Sequence, residues 1–74
     1  MVNIFSERLK DLRVAKSTLQ KDIADILDVS VRQYQRYEKG EQEPNINGLM
    51  TLADYFDVSL DYLVGRSDDP KINE

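Results

Sequence analysis

Two stretches with helical apolar spacing lie next to each other in this chain, one carrying Ile23, Ala24 and Leu27 and the next carrying Tyr34 and Tyr37, with just Asp28-Val29-Ser30 as the link. So short a connection forces a sharp corner between two helices. Asp28 stands where the chain must turn out of the first helix, and it is expected at positive φ, which Asp tolerates better than most residues. Val29 is apolar inside the turn and is expected to plug the space between the two helices. The rest of the chain has to hold this corner, and 74 residues provide one domain with a single modest core.

The remaining spacing is helical as well. Phe5, Leu9 and Leu12 follow i, i+4, i+7. Leu49, Leu52, Ala53 and Phe56 form a second stripe with Ile46 one turn earlier, and Leu60 and Leu63 close the series. No segment alternates apolar and polar residues as a half-buried strand would. Ser30 followed by Gln33 has the pattern of a capping box. Gly40 is placed to end the helix after Lys39, Glu41-Gln42-Glu43-Pro44 reads as a loop, Asn45 and Ser59 are suited to N-caps, and Gly65 to a stop. The expectation is an all-α chain of five helices, near 4–15, 20–27, 31–39, 46–56 and 60–64. Residues 1–66 form the domain, and 67–74 are a flexible tail or the start of a linker.

The absences narrow the chemistry. With neither Cys nor His, a disulfide framework, a thiolate site and a structural zinc site are not expected, and no cofactor is implied. No Gly-rich phosphate loop or nucleophile–His arrangement is present. The carboxylates are scattered over helix faces rather than gathered in a cleft that would shift a pKa, so an enzyme is not expected. No apolar run approaches the roughly 20 residues of a membrane span, the first residues do not resemble a secretory signal, and a cytoplasmic location is the simplest expectation. The net charge of −4 is unhelpful for a nucleic-acid binder, but its distribution is uneven. Residues 1–40 hold eight Lys or Arg against six acids, a balance of +2, while residues 41–74 hold two against eight, a balance of −6. One half is therefore able to face an anion.

The helix over 31–39 has two unlike faces. Tyr34, with Val31 or Tyr37, can point inward, whereas Arg32, Gln33, Gln35 and Arg36 cannot all be buried. Arg32 and Arg36 are four apart and share a face, and Arg and Gln are the side chains that pair bidentately with guanine and adenine edges. Composition alone favours an ordinary exposed polar helix.

Four stretches reverse that reading. Arg8-Leu9-Lys10-Asp11-Leu12-Arg13, Gln20-Lys21-Asp22-Ile23-Ala24, Val29-Ser30 through Tyr37-Glu38-Lys39-Gly40, and Pro44 through Leu52-Ala53-Asp54 to Val58-Ser59-Leu60-Asp61-Tyr62-Leu63 together resemble the phage-repressor and Cro-type helix-turn-helix family, also called the xenobiotic-response-element family. The resemblance spans about residues 5–66. It implies a compact five-helix domain of the lambda-repressor kind, in which 31–39 is the recognition helix of a sequence-specific regulator of transcription, with repressor action the first expectation.

The resemblance also implies roles. Val31, Arg32 and Arg36 would read base edges. Gln20, Gln33, Tyr37, Lys39 and Asn45 would lie near backbone phosphates. Arg13 and Glu38 would form a partly buried ion pair, and Tyr34 would belong to the core. Double-stranded DNA with a near-palindromic operator is the implied partner, with no membrane and no small-molecule substrate. A homodimer is expected through Val58, Leu60, Tyr62 and Leu63, because one small unit buries too little DNA surface for selective binding.

The sequence departs from the family in three places. Thr18-Leu19-Gln20 replaces the usual Leu-Thr-Gln order, so Thr18 could cap the next helix or Leu19 could turn inward. Asp28 stands where Gly is usual. Glu41 and Glu43 occupy a loop in which relatives place bases, which predicts weak non-specific binding and a reliance on dimerisation. That acidic loop keeps a second reading open, an antitoxin or protein-interaction module with secondary DNA binding.

Overall fold

A computed structural model of the chain describes residues 3–71. Five helices follow in order: α1 (Ile4–Ala15), α2 (Gln20–Leu27), α3 (Val31–Lys39), α4 (Ile46–Phe56) and α5 (Leu60–Leu63). There is no strand among the described residues. The helix boundaries are those expected from periodicity, apart from the last, which stops one residue earlier.

Local chemistry explains each end. Asn3 starts α1 with a reciprocal box: its side-chain oxygen accepts from the Ser6 N–H at 2.8 Å, and Ser6 Oγ accepts from the Asn3 N–H at 2.9 Å. Ser30, Asn45 and Ser59 each accept from the third residue of the helix they open. At Ser30 only half of the expected box forms, because the Gln33 amide turns away to Gln42. Asp28 takes φ 57° at the corner, as anticipated, and Asp57 does the same after α4. Gly40 ends α3 at φ 76°. Val64 closes α5, and Gly65 follows at φ 88°. A Cβ on Gly65 would stand 2.6 Å from the Ile4 methyl group, so only glycine suits that position.

The start of α2 resolves the unusual Thr18-Leu19-Gln20 order. Ser17 turns the chain at φ 55°, and the Thr18 N–H bonds the Arg13 carbonyl at 3.0 Å. Leu19, not Thr18, becomes the N-cap, and its side chain points to solvent at 67% exposure. Leucine has no acceptor to offer the first turn. What remains of a cap is the bond from the Leu19 N–H to Asp22 at 3.2 Å.

The core unites all five helices. Phe5, Leu9, Ile23, Ala24, Tyr34, Tyr37, Leu52, Ala53, Phe56, Val58 and Leu63 are buried, and Leu12, Leu27, Val29 and Leu49 pack against them. Val29 is thus the plug of the corner. Ile46, expected on the apolar stripe of α4, is 60% exposed instead, since the helix begins beyond the edge of the core. α2 contacts α3 and α4, and α1 contacts α3 and α5, so α3 rests on a platform made by its predecessors.

The segment after α5 returns to the domain. Arg8 donates to the Tyr62 and Ser67 carbonyls, pairs with Asp68 at 2.8 Å and stacks 4.1 Å above the Tyr62 ring. The Ser59 N–H bonds the Pro70 carbonyl at 2.9 Å. Of the stretch expected as a loose tail, Ser67 to Pro70 therefore touches the folded unit, and residues 72–74 lie outside the described residues.

Candidate nucleic-acid interface

α3 is oriented by one polar cluster on its inner flank. Arg13 Nε donates to Glu38 Oε2 at 2.5 Å and Arg13 Nη2 to Glu38 Oε1 at 3.2 Å, while Arg13 Nη1 reaches the Thr18 carbonyl at 3.2 Å. The two charged side chains retain 15% and 6% of their exposure. Gln20 joins them, donating from Nε2 to Glu38 Oε1 at 3.2 Å and accepting at Oε1 from Gln35 Nε2 at 3.2 Å. The start of α2 and the ends of α1 and α3 are thus tied to one carboxylate.

Electrostatics follows from that packing. Burial opposes ionisation of Glu38, but hydrogen bonding, led by Arg13, outweighs it and holds the carboxyl below the usual carboxylate range. The Arg13 guanidinium is pushed up by its bond to Glu38. The Tyr34 hydroxyl is buried beside the pair without a well-formed hydrogen bond, and burial, then the nearness of the Glu38 carboxylate, drives its pKa far above the ordinary tyrosine value.

The outer face of α3 is different. Arg32 is exposed and Arg36 half-buried, and among the described residues neither guanidinium makes a hydrogen bond or ion pair. Val31, at 38% exposure, stands one turn before Gln35 on the same helix. Lys39 is exposed, and together with Lys10, Arg13, Gln20, Gln35 and Glu38 it lines a polar recess between α1, α2 and α3. No side chain caps α2 from its N-cap position, so its first N–H groups are open to an anion.

Other residues expected at phosphates are already engaged. The Gln33 amide bonds Gln42. Asn45 uses its oxygen to cap α4 at 2.8 Å, which leaves its nitrogen. Tyr37 is a core residue at 6% exposure, edge-on to Tyr34 at 6.4 Å. Its ring is packed inward, since the helical repeat that carries Tyr34 into the core carries Tyr37 with it. The loop acids also separate. Glu43 lines a recess with Asn3, Ile4 and Phe5 at the start of α1, where a helix dipole favours a carboxylate.

The expected dimer surface needs correction for two of its four residues. Val58 and Leu63 are buried in the core of the single chain, because α5 is short and must anchor against α1 and α4. Tyr62 is covered on one face by Arg8. Leu60 is half-buried and borders a shallow groove with Met50, Ala53 and Val58, rimmed by Asp54 and Asp61. Lys10 is a member of the site that the sequence did not single out, and Gln35, named there among the outward polar residues of the helix, was given no role of its own. The helical position of Gln35 beside Arg36 was the available signal.

A model of the helix-turn-helix family matches residues 9–63. The chain is 38% identical over 69 residues to the uncharacterised HTH-type transcriptional regulator YqaE of Bacillus subtilis (strain 168), covering 93% of this chain and 60% of that protein. It is 38% identical over 60 residues to the cryptic phage CTXphi transcriptional repressor RstR of Vibrio cholerae serotype O1, covering 81% and 54%. The chain therefore spans less than two thirds of these relatives. Among solved structures, a transcriptional regulator from Listeria innocua matches with a TM-score of 0.82 at 34% identity, over 100% of this chain and 64% of that one. The P22 c2 repressor in complex with a synthetic operator matches with a TM-score of 0.79 at 26% identity, over 89% of this chain and 100% of that one.

Proposed function

The chain belongs to the helix-turn-helix family, and we propose that it is a sequence-specific regulator of transcription, of repressor type, that reads the major groove of double-stranded DNA with α3. The observation that carries this reading is the state of Arg32 and Arg36. They share one face of a helix held at a sharp corner, and no group of the described chain neutralises them. Guanidiniums so presented match the O6 and N7 acceptors of guanine, and Val31 beside them suits a thymine methyl. Gln20, Lys39, Lys10 and the open N-terminus of α2 form a bracket for a backbone phosphate.

The protein acts as a homodimer on a near-palindromic operator in the cytoplasm. With Val58 and Leu63 committed to the core, the contact between protomers falls on Leu60 and Met50. The carboxylates at the rim of that groove would approach their symmetry mates, so moderate salt favours the dimer even as it weakens phosphate contacts.

Selection of bound sequences from random duplexes, followed by affinity measurements on the winner, tests the proposal. Arg32→Ala and Arg36→Ala are each expected to weaken binding by about 1–3 kcal/mol and to relax base preference. Lys39→Ala is expected to weaken all sequences alike and to lower the salt slope by about one. Wild-type affinity of both arginine variants for the selected site would refute the assignment of α3.

A further inference from the structure

Gln35 lies within the arc of α3 assigned above to base reading. Successive helical residues are rotated by about 100°. Measured from Arg32, Arg36 then lies about 40° to one side, and Gln35 about 60° and Val31 about 100° to the other. Gln35 therefore sits between Val31 and Arg32 on the outer surface.

Its amide is also oriented before any ligand arrives. Glu38 is ionised and can only accept, so Gln20 must turn its nitrogen to Glu38, at 3.2 Å. That fixes the Gln20 oxygen at the opposite end, where it accepts from Gln35 Nε2 at 3.2 Å. The charge on Glu38 thereby dictates, through two hydrogen bonds, which end of the Gln35 amide is nitrogen. One Gln35 N–H and its Oε1 remain, and neither has a partner among the described residues. An adjacent donor and acceptor match N7 and the N6 amino group of adenine. An amide fixed in the free protein loses less freedom on binding.

We propose that Gln35 is a specificity-determining residue that selects an A·T pair through a carboxamide whose polarity is set by Gln20 and Glu38. This rests on α3 entering the major groove.

The test repeats the random-duplex selection with wild type, Gln35→Met and Gln35→Glu, with thermal unfolding and the salt slope of binding recorded for each. Gln35→Met keeps the length of the side chain and removes its polar groups. It is expected to lose about tenfold discrimination at one A·T pair, with the other positions and the salt slope unchanged. Gln35→Glu, an acceptor alone, is expected to move the preference at that same pair toward cytosine. If the salt slope falls by about one and base preference stays as in wild type, Gln35 contacts a phosphate and the proposal is overturned. Unchanged selection and slope in two folded variants also overturns it. If wild type itself selects no sequence, the major-groove reading fails, and the role of Gln35 falls with it. Retained wild-type selection with an unmoved Gln35 position sinks only the latter.

Discussion

The arginines of α1 and those of α3 are the same side chain in opposite conditions. Arg13 is bidentate to Glu38 and nearly buried, and Arg8 holds two carbonyls, a carboxylate and an aromatic face. Arg32 and Arg36 hold nothing in the described chain. The domain thus separates charge that maintains its shape from charge available to a partner. Substitution of the first pair should register in stability, and substitution of the second in binding.

The largest effect is expected at Glu38. Glu38→Ala leaves Arg13 desolvated and unpaired, and unfolding measured with urea should show a loss of about 3 kcal/mol. Arg32→Ala should change the same measurement by less than about 0.5 kcal/mol. A comparable loss at Arg32 would erase the distinction.

Acid sharpens the comparison. The folded pKa of Glu38 is depressed, so its contribution is complete above the unfolded carboxylate pKa near 4.3 and is lost as pH falls through the lower folded value. The urea midpoint of wild type should therefore drop on acidification below pH ~4.5 more steeply than that of Glu38→Gln, which has no such charge to lose. Parallel profiles would show that the pair contributes nothing through ionisation.

A smaller effect is expected at Arg8. Its bonds to two carbonyls and its stacking on Tyr62 should make Arg8→Ala destabilising by about 1 kcal/mol. Asp68, fully solvated at its end of the ion pair, should be replaceable by Ala without a measurable change in melting temperature. Equal losses at the two positions would mean that the ion pair, not the carbonyl contacts, fastens the segment after α5.

What the sequence could announce was local. Asp28-Val29-Ser30 betrayed the corner, and Ser30, Asn45 and Ser59 betrayed three helix starts, because each acts within one turn of itself. The Leu19 cap was less legible, since it depends on Ser17 adopting positive φ, a choice made by the Thr18 N–H reaching back to Arg13. Apolar spacing could not separate core from surface within α5. Leu60, Tyr62 and Leu63 read alike, yet their burial differs according to where α1 and α4 happen to lie. The grasp of Arg8 on Ser67 and Asp68 spans about sixty positions, and no periodicity encodes a contact so distant.

The corner at Asp28 is built from backbone geometry and a plugged turn, while the guanidiniums of Arg32 and Arg36 bond no other part of the described domain. If α3 reads a groove as proposed, the scaffold and its reading surface are consequently free to evolve at different rates. On the proposed reading of the groove, positions 31, 32 and 36 could be exchanged as a set with little penalty to folding, and one framework would acquire new operators by changing three letters, while Gln35, wired to the interior through Gln20, would be the slowest to follow.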